Sequence, residues 1–390
     1  MASQTASFGR FESKVTSRTR TMVVSLILLL SVLAHRMVWP AFPPDFPIFQ
    51  LPWFDHLQQH GPLGAFAIPF SNYSPPYLYL LAIASLTAPG LSPFDAIKLL
   101  SVAISLWLAY AAYRCAKAAG AAEPVIAGAG VLLLPTVVVN GALLGQCDGL
   151  WVAPLLLSLA ALLEDRPRTM LVWVGIAFAF KAQAAFLAPF ILAWLWHRRA
   201  PLHWWLIPVL AFFAMLMPAW LLGWPFDHLL TIYVRQGQSY GQFISNAASL
   251  WSIVAVLAPE ATLPLLPFGL AAAGLACLGL VVALRRCMAE PGQILTAALL
   301  SALFVPFVLP KMHERYTLLA DLIAFVLAFA IRRPASLMIA AVIQFASLAA
   351  TAAYIFDKPG WLVAGALTAA LALMAIADLL RRLPAEGGRA

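Results

Sequence analysis

Charged residues are scarce in this sequence: Asp, Glu, Lys and Arg make up only 10% of its 390 residues, whereas soluble domains carry about a quarter. Hydrophobic residues make up 63%, and the mean hydropathy is +0.89. This balance excludes a soluble globular protein and a disordered chain. The continuous apolar runs also differ from the alternating pattern of membrane-barrel strands.

Cysteine and the common cofactor motifs are scarce as well. Cys115, Cys147, Cys277 and Cys287 form no CxxC pair, so neither a disulfide framework nor a zinc site is predicted. The sequence has no P-loop, GxGxxG, GxSxG, HExxH or DxD motif. We therefore expect neither a metal nor a cofactor, and we expect the energy for any reaction to arrive with the substrate.

The charge that is present has a net value of +8. Its basic residues come mostly in pairs between hydrophobic segments, rather than in one patch or stripe. This spacing is typical of membrane topology, so a lipid bilayer is the predicted partner and nucleic acid is not.

The hydrophobic segments predict an all-α polytopic membrane protein, with residues 1–390 as one integral membrane domain. A helix crosses the bilayer with about 20 apolar residues. We predict twelve crossings, near residues 21–38, 96–114, 122–140, 149–163, 169–181, 183–197, 202–222, 264–284, 292–309, 316–332, 335–356 and 360–380.

The positions of Lys and Arg predict the orientation, because cytoplasmic loops hold the excess. With both termini in the cytoplasm, 17 of the 24 basic residues fall on the inner side. Counting 75–89 as a crossing would reverse the later loops, so we interpret it, and the apolar patch 247–258, as re-entrant or interfacial. Two long outer loops follow, 39–95 and 223–263, and the first helix is expected to be an uncleaved anchor.

Asp45 is the first candidate for chemistry, in the first outer loop. Phe49, Trp53 and Leu57 recur every four residues behind it and predict an amphipathic helix in the interface plane. That helix would hold the Asp45 carboxylate at headgroup level, where it can meet a lipid-linked substrate. The alternative is that Asp45 only caps a loop after two prolines.

Lys181 and Asp148 lie at the outer ends of predicted helices. A charge near the bilayer core costs about 2.5–3.5 kcal/mol on insertion scales, so Lys181 is a functional candidate, unless its side chain simply reaches the headgroups. Asp148 stands between Gly145 and Gly149, near a helix N-terminus, where helix capping alone would also explain it.

The segment 311–316 places four ionisable residues in one turn between two hydrophobic spans. Lys311, His313 and Arg315 together suit a phosphate or pyrophosphate, since Arg offers a planar fork and Lys a point charge. A solvated surface turn is the alternative interpretation.

In this order, these residues resemble the GT-C superfamily of membrane glycosyltransferases, which use polyprenyl-phosphate sugars on the extracytoplasmic side. The set looks like that of bacterial lipid-linked mannosyltransferases and related hexosyltransferases. The resemblance covers nearly the whole chain in architecture, and its specific parts are Asp45, Asn72-Tyr73-Ser74-Pro75-Pro76-Tyr77, Gly145-Gln146-Cys147-Asp148, Phe180-Lys181-Ala182-Gln183 and His313-Glu314-Arg315-Tyr316.

The resemblance implies an inverting transfer of one sugar, mannose or another hexose or pentose, to a glycan, lipid or protein acceptor of the cell envelope. A lipid phosphate is already a good leaving group, so one general base suffices, and Asp45 is assigned to it. The phosphate-binding residues would be Lys311, His313, Arg315 and Lys181. The residues that bind or position sugar and acceptor would be Asn72, Tyr73, Gln146, Asp148, Gln183 and Glu314.

Two other functions remain open. A transporter or flippase for a lipid-linked or anionic solute would use the same basic pocket, although its binding residues would be expected near the bilayer midplane. A ligase would move a whole oligosaccharide from a lipid-pyrophosphate donor. The expected location is a bacterial inner membrane, with the active site facing the periplasm or cell exterior.

Overall fold

The computed structural model describes residues 16–239, 246–288 and 290–383, and these fold almost entirely into helices. No strand occurs within these ranges, where Asn246 and His313 form an isolated bridge. The prediction of an all-helical chain is confirmed. The helices are α1 (Ser17–Val38), α2 (Leu51–His60), α3 (Pro75–Ser85), α4 (Pro93–Ala118), α5 (Pro124–Gly130), α6 (Pro135–Val138), α7 (Gly149–Leu163), α8 (Pro167–Phe180), α9 (Ala188–His197), α10 (Leu206–Leu221), α11 (Phe226–Ser239), α12 (Leu250–Leu257), α13 (Thr262–Leu284), α14 (Pro291–Val308), α15 (Leu318–Ile331), α16 (Pro334–Phe356) and α17 (Pro359–Arg382).

Proline sets where many of these helices begin. It is tolerated in the first turn because the N–H that it lacks would have no partner there. Ser92 shows how such a start is completed, since its hydroxyl accepts a hydrogen bond from the Asp95 N–H at 3.1 Å. Prolines open α4, α8, α14, α16 and α17.

Among the described residues, seven helical segments are long and apolar enough to cross a membrane, and an eighth candidate is a bent pair. The chain is therefore an integral, polytopic membrane protein. The pair, Pro124–Leu133 and Pro135–Leu143, bends by 52° within the region where one crossing over 122–140 was predicted. Pro135 explains the break, since the residue before a proline is pushed out of the helical conformation.

Four apolar segments are shorter, and three of them form much of the interior: α7, α8 and α15. Every residue of α7 from Gly149 to Leu162 is buried, whereas only Ser31 and His35 are buried in α1. A helix that is apolar all round and buried all round belongs in a core, while an apolar exposed one faces lipid. The fourth shorter segment, Ala182–His197, includes α9.

The predicted first outer loop contains two short helices. Trp53 and Leu57 of α2 are buried and Phe49 is partly buried, so the predicted apolar stripe packs inward. The helix α3 has 11 residues, too few for a crossing. Its Tyr79 hydroxyl donates to the Met215 carbonyl of α10 (3.2 Å).

The predicted second outer loop contains α11 and α12, and residues 240–245 of that range lie outside the described residues. Side-chain contacts across the helix ends define two opposite regions. We call the region around Asp45 and Asp148 the site end. The opposite end carries the ion pairs Arg20–Glu123, Arg114–Glu164, Arg166–Glu164 and Arg198–Asp165.

Candidate functional site

Asp148 is the centre of a buried ionic cluster at the site end. Its side chain is 0% exposed, and Lys181 Nζ lies 2.8 Å from Oδ1 while Arg315 Nε lies 3.2 Å from Oδ2. Asn140 donates to Oδ2 (3.0 Å) and the Trp151 indole donates to Oδ1 (3.2 Å). Burial opposes ionisation, but Lys181 and Arg315 outweigh it and lower the pKa of Asp148 to about 2.

The local backbone explains how Asp148 reaches these partners. The π-helical turn Val139–Leu143 ends α6, and Gly145, with a φ of +60°, reverses the chain before α7. Asp148 then occupies the N-cap position of α7, but its side chain makes no capping hydrogen bond. The capping interpretation is therefore wrong for this residue, because its carboxylate is turned toward the cluster instead.

Asp45 lies beside the cluster but has different surroundings. Its side chain is 21% exposed. Gln146 Nε2 donates to Oδ2 (2.8 Å), and the Tyr354 hydroxyl donates to Oδ1 (3.3 Å). The neighbouring Phe46 ring packs where a side chain at Gly145 would collide with it, so this glycine permits the loop to approach. Asp45 is thus held in place while still open to solvent.

Arg315 connects the two carboxylates. Its Nη1 donates to Glu314 Oε1 (2.7 Å), its Nε lies beside Asp148, and its Nη2 is 3.8 Å from Asp45 Oδ2. The last distance is too long for a direct hydrogen bond. Burial opposes ionisation of Glu314, yet Arg315 lowers the pKa of that carboxyl.

The other residues of the 311–316 turn point to different neighbours. His313 Nδ1 lies 3.8 Å from Glu314 Oε2, and its ring packs edge-on against Tyr316. Lys311 has a φ of +63°, and its Nζ donates to the Gly237 carbonyl of α11 (3.3 Å). The structure therefore brings Arg315 to Asp148 and Asp45, and Lys311 to α11.

Lys181 links the cluster to an aromatic group. Its side chain is 6% exposed and pairs with Asp148, so it does not reach outward to headgroups. Its Nζ donates to the Tyr73 hydroxyl (3.3 Å), and the Tyr73 ring lies 4.9 Å from that of Trp53. Burial raises the pKa of Tyr73 to about 12. Tyr73 therefore stays neutral at physiological pH.

Gln183 and Asn72 lie at the edges of this arrangement. Gln183 is half-buried in the 3₁₀ turn Ala182–Leu187, and within the described residues its Oε1 has no hydrogen-bond partner. Asn72 lines an open cleft of about 710 Å³, together with Trp53 and Phe70. Both residues were predicted from the sequence resemblance to bind or position the sugar and the acceptor, and that assignment stays a prediction.

Three residues of the site were missed: Asn140, Trp151 and Tyr354. Asn140 was the most visible in principle, because it is a lone amide in an apolar segment. Trp151 and Tyr354 carry no such signal, since aromatic residues in membrane helices are usually packing residues. Tyr354 also comes 309 positions after Asp45, and only the tertiary fold brings them together.

An apolar groove of about 530 Å³ runs beside the cluster, lined by α8, α9, α10 and α11. Ala184 and Tyr233 line it at the site end, and Leu195 and Trp205 line it farther along. Ala184 is three residues from Lys181, so the groove begins close to the charged cluster. In the described part of the chain, no three His, Cys, Asp or Glu residues group together as metal ligands would.

No protein-family model matches the sequence, and a search of curated proteins likewise finds no match. The fold and site therefore define a class: a polytopic helical membrane protein with a buried ion-pair cluster and one partly exposed carboxylate at one end of its helices.

Proposed function

We propose that this chain is an inverting membrane glycosyltransferase of the GT-C type, which moves one sugar from a polyprenyl-phosphate donor to an extracytoplasmic acceptor. The observation that carries this proposal is the difference between Asp45 and Asp148. The two carboxylates share the neighbour Arg315, but Asp45 is open to solvent and Asp148 is closed. One reactive carboxylate supported by buried charges suits a transfer that needs a single base.

Asp45 is the general base in this proposal. A base must reach the acceptor hydroxyl within about 2.6–3.2 Å, which requires an accessible oxygen. Gln146 and Tyr354 each donate one hydrogen bond to Asp45, and a carboxylate can accept about four. Asp148 already receives contacts from four side chains and has no exposed surface. Its role is to hold Lys181 and Arg315.

Arg315 is the charge that stabilises the departing phosphate. Its Nη2 points toward Asp45 without a direct hydrogen bond, so one guanidinium edge faces the place where donor and acceptor would meet. Lys181 pairs with Asp148 and donates to Tyr73, so it supports the site by neutralising Asp148 and holding Tyr73 rather than by contacting the donor. His313 and Lys311 would assist the phosphate from the same turn, an assignment that continues to rest on the sequence resemblance.

The apolar groove suits the polyprenyl chain of the donor. Its lining is almost entirely hydrocarbon and aromatic, and its site end lies beside Ala184. A lipid tail that enters it from the bilayer exchanges one apolar environment for another, so packing against the groove walls, rather than removal from water, would hold it there. The tail in the groove would leave the phosphate near Lys181 and Arg315.

The proposed architecture has twelve crossings. The seven long spans, the bent pair and the four shorter apolar segments give the same number as the twelve predicted hydrophobic segments. With cytoplasmic termini, the site end faces the periplasm or cell exterior of a bacterial inner membrane. The Arg-rich opposite end then faces the cytoplasm, as the distribution of basic residues requires.

The test is transfer from radiolabelled polyprenyl-phosphate mannose, glucose, galacturonic acid and arabinose by the purified protein in lipid nanodiscs. We expect one donor to be used, and Asp45→Asn to reduce transfer by about 100-fold or more, in the range of general-base catalysis. Asp55→Asn is the matched control, because Asp55 is an exposed carboxylate on α2.

Two outcomes would contradict the proposal. If Asp45→Asn kept full activity, Asp45 would not be the base. If no donor lost its sugar but the labelled lipid crossed the membrane of proteoliposomes, the protein would be a transporter. Transfer of a whole glycan from a pyrophosphate lipid would instead indicate the ligase.

A further inference from the structure

A small polar cavity, which we call the polar chamber, lies behind Arg315. Its volume is about 10 Å³, close to the room that one water molecule needs. The charged side chains that line it among the described residues are Glu314, Arg315 and Asp321. Its polar neutral lining includes Thr136, Thr317 and Ser347. Asp45 is not one of the residues that line the chamber.

Asp321, in the first turn of α15, is 1% exposed. The Ser347 hydroxyl donates to its Oδ1 (3.1 Å), and Thr317 Oγ1 lies 2.7 Å from the same hydroxyl. Ser347 has one proton and gives it to Asp321, so Thr317 must donate to Ser347. Asp321 Oδ2 makes no hydrogen bond of ordinary geometry among the described residues, although the Thr136 hydroxyl is a near neighbour of this carboxyl.

Glu314 also lines the chamber, and one of its carboxylate oxygens is buried without a hydrogen bond in the described chain. Its Oε1 accepts from Arg315, while its Oε2 is buried and without a hydrogen bond in the described chain, with His313 Nδ1 at 3.8 Å. The positive charge that lines the chamber is that of Arg315, which already pairs with Glu314 and Asp148. No described ion pair joins Asp321 to a cation.

Two ionised carboxylates cannot share a dry chamber in this way without a large cost. An unpaired buried carboxylate normally takes up a proton, and a second carboxylate nearby strengthens that tendency. A proton on Asp321 Oδ2 also turns that oxygen into a donor. One water molecule can then accept from Asp321 and donate to Glu314 Oε2.

We propose that the polar chamber holds one proton and one water molecule, with Asp321 as a neutral carboxylic acid that is bridged by this water to the Glu314 carboxylate. The bridge fixes Glu314, and Glu314 fixes the Arg315 guanidinium through the 2.7 Å hydrogen bond. Asp321 is then a positioning residue for Arg315. This inference does not depend on glycosyl transfer.

The direct test is infrared difference spectroscopy of the full-length protein in nanodiscs at neutral pH. We expect the absorption of a protonated carboxylic acid, shifted in heavy water, and its loss in Asp321→Asn. Asp378→Asn is the matched control, because Asp378 is exposed and paired with Arg382 at 2.8 Å. Absence of the band in the wild-type protein, or its persistence in Asp321→Asn, would overturn the proposal.

A second measurement separates the proton from a bound cation. Asn has the shape of a protonated Asp and can donate a hydrogen bond, so Asp321→Asn should keep the wild-type melting temperature, whereas Asp321→Leu should lower it. If sodium chloride stabilised the wild-type protein more than choline chloride did, and Asp321→Asn abolished that difference, an ionised Asp321 with bound sodium would replace the proposal.

A kinetic measurement tests the positioning role. In the donor assay, Asp321→Leu should raise the donor KM while Asp321→Asn leaves it unchanged. Equal KM values for the wild type and a folded Asp321→Leu variant would show that Asp321 does not help to position Arg315. If no donor proves active, the infrared result still decides the protonation of Asp321.

Discussion

The two ends of the helical bundle use the same charged residue types in opposite ways. At the opposite end, Arg198 and Asp165 pair at 3.3 Å with side chains that are 54% and 85% exposed. At the site end, Lys181 and Asp148 pair at 2.8 Å and are almost completely buried. The first pair is solvated whether or not it forms, whereas the second has no solvent to replace its partner.

The exposed charges and the buried charges therefore differ in how strongly each one depends on its partner. In the proposed topology the exposed Arg residues at the opposite end would orient the chain in the membrane, and their exact partners would matter little. The buried cluster at the site end works only as a connected set, because each charge compensates another. Substitutions at matched positions of the two ends should therefore differ sharply.

The largest difference is expected for Asp148→Asn. This change leaves Lys181 and Arg315 buried without a shared counter-charge, which costs about 3–5 kcal/mol when one partner of a buried pair is removed. Asp165→Asn, the control at the opposite end, should have little effect. Thermal unfolding of both variants in detergent measures the difference, and equal melting temperatures would contradict it.

The pH dependence of this effect follows from the lowered pKa of Asp148, which is about 2. A depressed carboxyl pKa stabilises the folded state above the unfolded pKa of 3.8, and that stability is lost as pH falls toward 2. The loss in Asp148→Asn should therefore be the same at about pH 5 and about pH 8. A loss that varied between these values would mean that another group titrates with Asp148.

Arg315→Lys should have the next largest effect, this time on the proposed donor. Lysine keeps the charge but lacks the planar fork that reaches Glu314 and Asp148 together. Loss of one charge-assisted hydrogen bond costs about 1.5–3 kcal/mol, or roughly 10- to 100-fold in donor kcat/KM. Arg198→Lys is the control. If the two variants had the same kcat/KM for the donor, Arg315 would not be part of the donor site.

Much of the candidate site was predictable from the sequence, because polar residues are conspicuous in an apolar chain. Asp45, Gln146, Asp148, Lys181 and Arg315 were all named, and they prove to be direct neighbours. The sequence could not indicate how they are paired. Lys181 was predicted to bind the donor phosphate, whereas the packing of α8 against α7 brings Lys181 to Asp148.

The fold was predictable to a similar depth. The apolar segments located the long helices, and the helical class followed from hydropathy. The bend before Pro135 was missed even though the proline is visible in the sequence. Tyr354 could not have been found, because its contact with Asp45 depends on how α16 packs beside the loop after α1.

Tyr354→Phe should have a smaller effect, and on turnover alone. It removes the hydrogen bond from the hydroxyl to Asp45 Oδ1, at 3.3 Å, and leaves the ring in place. A hydrogen bond to a charged group contributes about 1.5–3 kcal/mol, and this one is long, so its loss should cost about 1.5 kcal/mol and lower kcat by roughly 10-fold. Tyr110→Phe, which removes a hydroxyl bonded to Arg114 at the opposite end, should not change kcat. If kcat changed for Tyr110→Phe but not for Tyr354→Phe, the Tyr354 hydroxyl would have no role in supporting Asp45.

The smallest effect is expected for Glu123→Gln, which breaks the 2.8 Å pair with Arg20 at the opposite end. The Arg20 side chain is 41% exposed, so water and salt can replace its partner. Any drop in melting temperature at low ionic strength should shrink in about 1 M salt, where the screening length of about 3 Å is comparable to the 2.8 Å separation of this pair. The loss in Asp148→Asn should persist there, because ions do not enter its surroundings. Equal salt sensitivity of the two variants would mean that the cluster at the site end is as accessible to ions as the surface pairs.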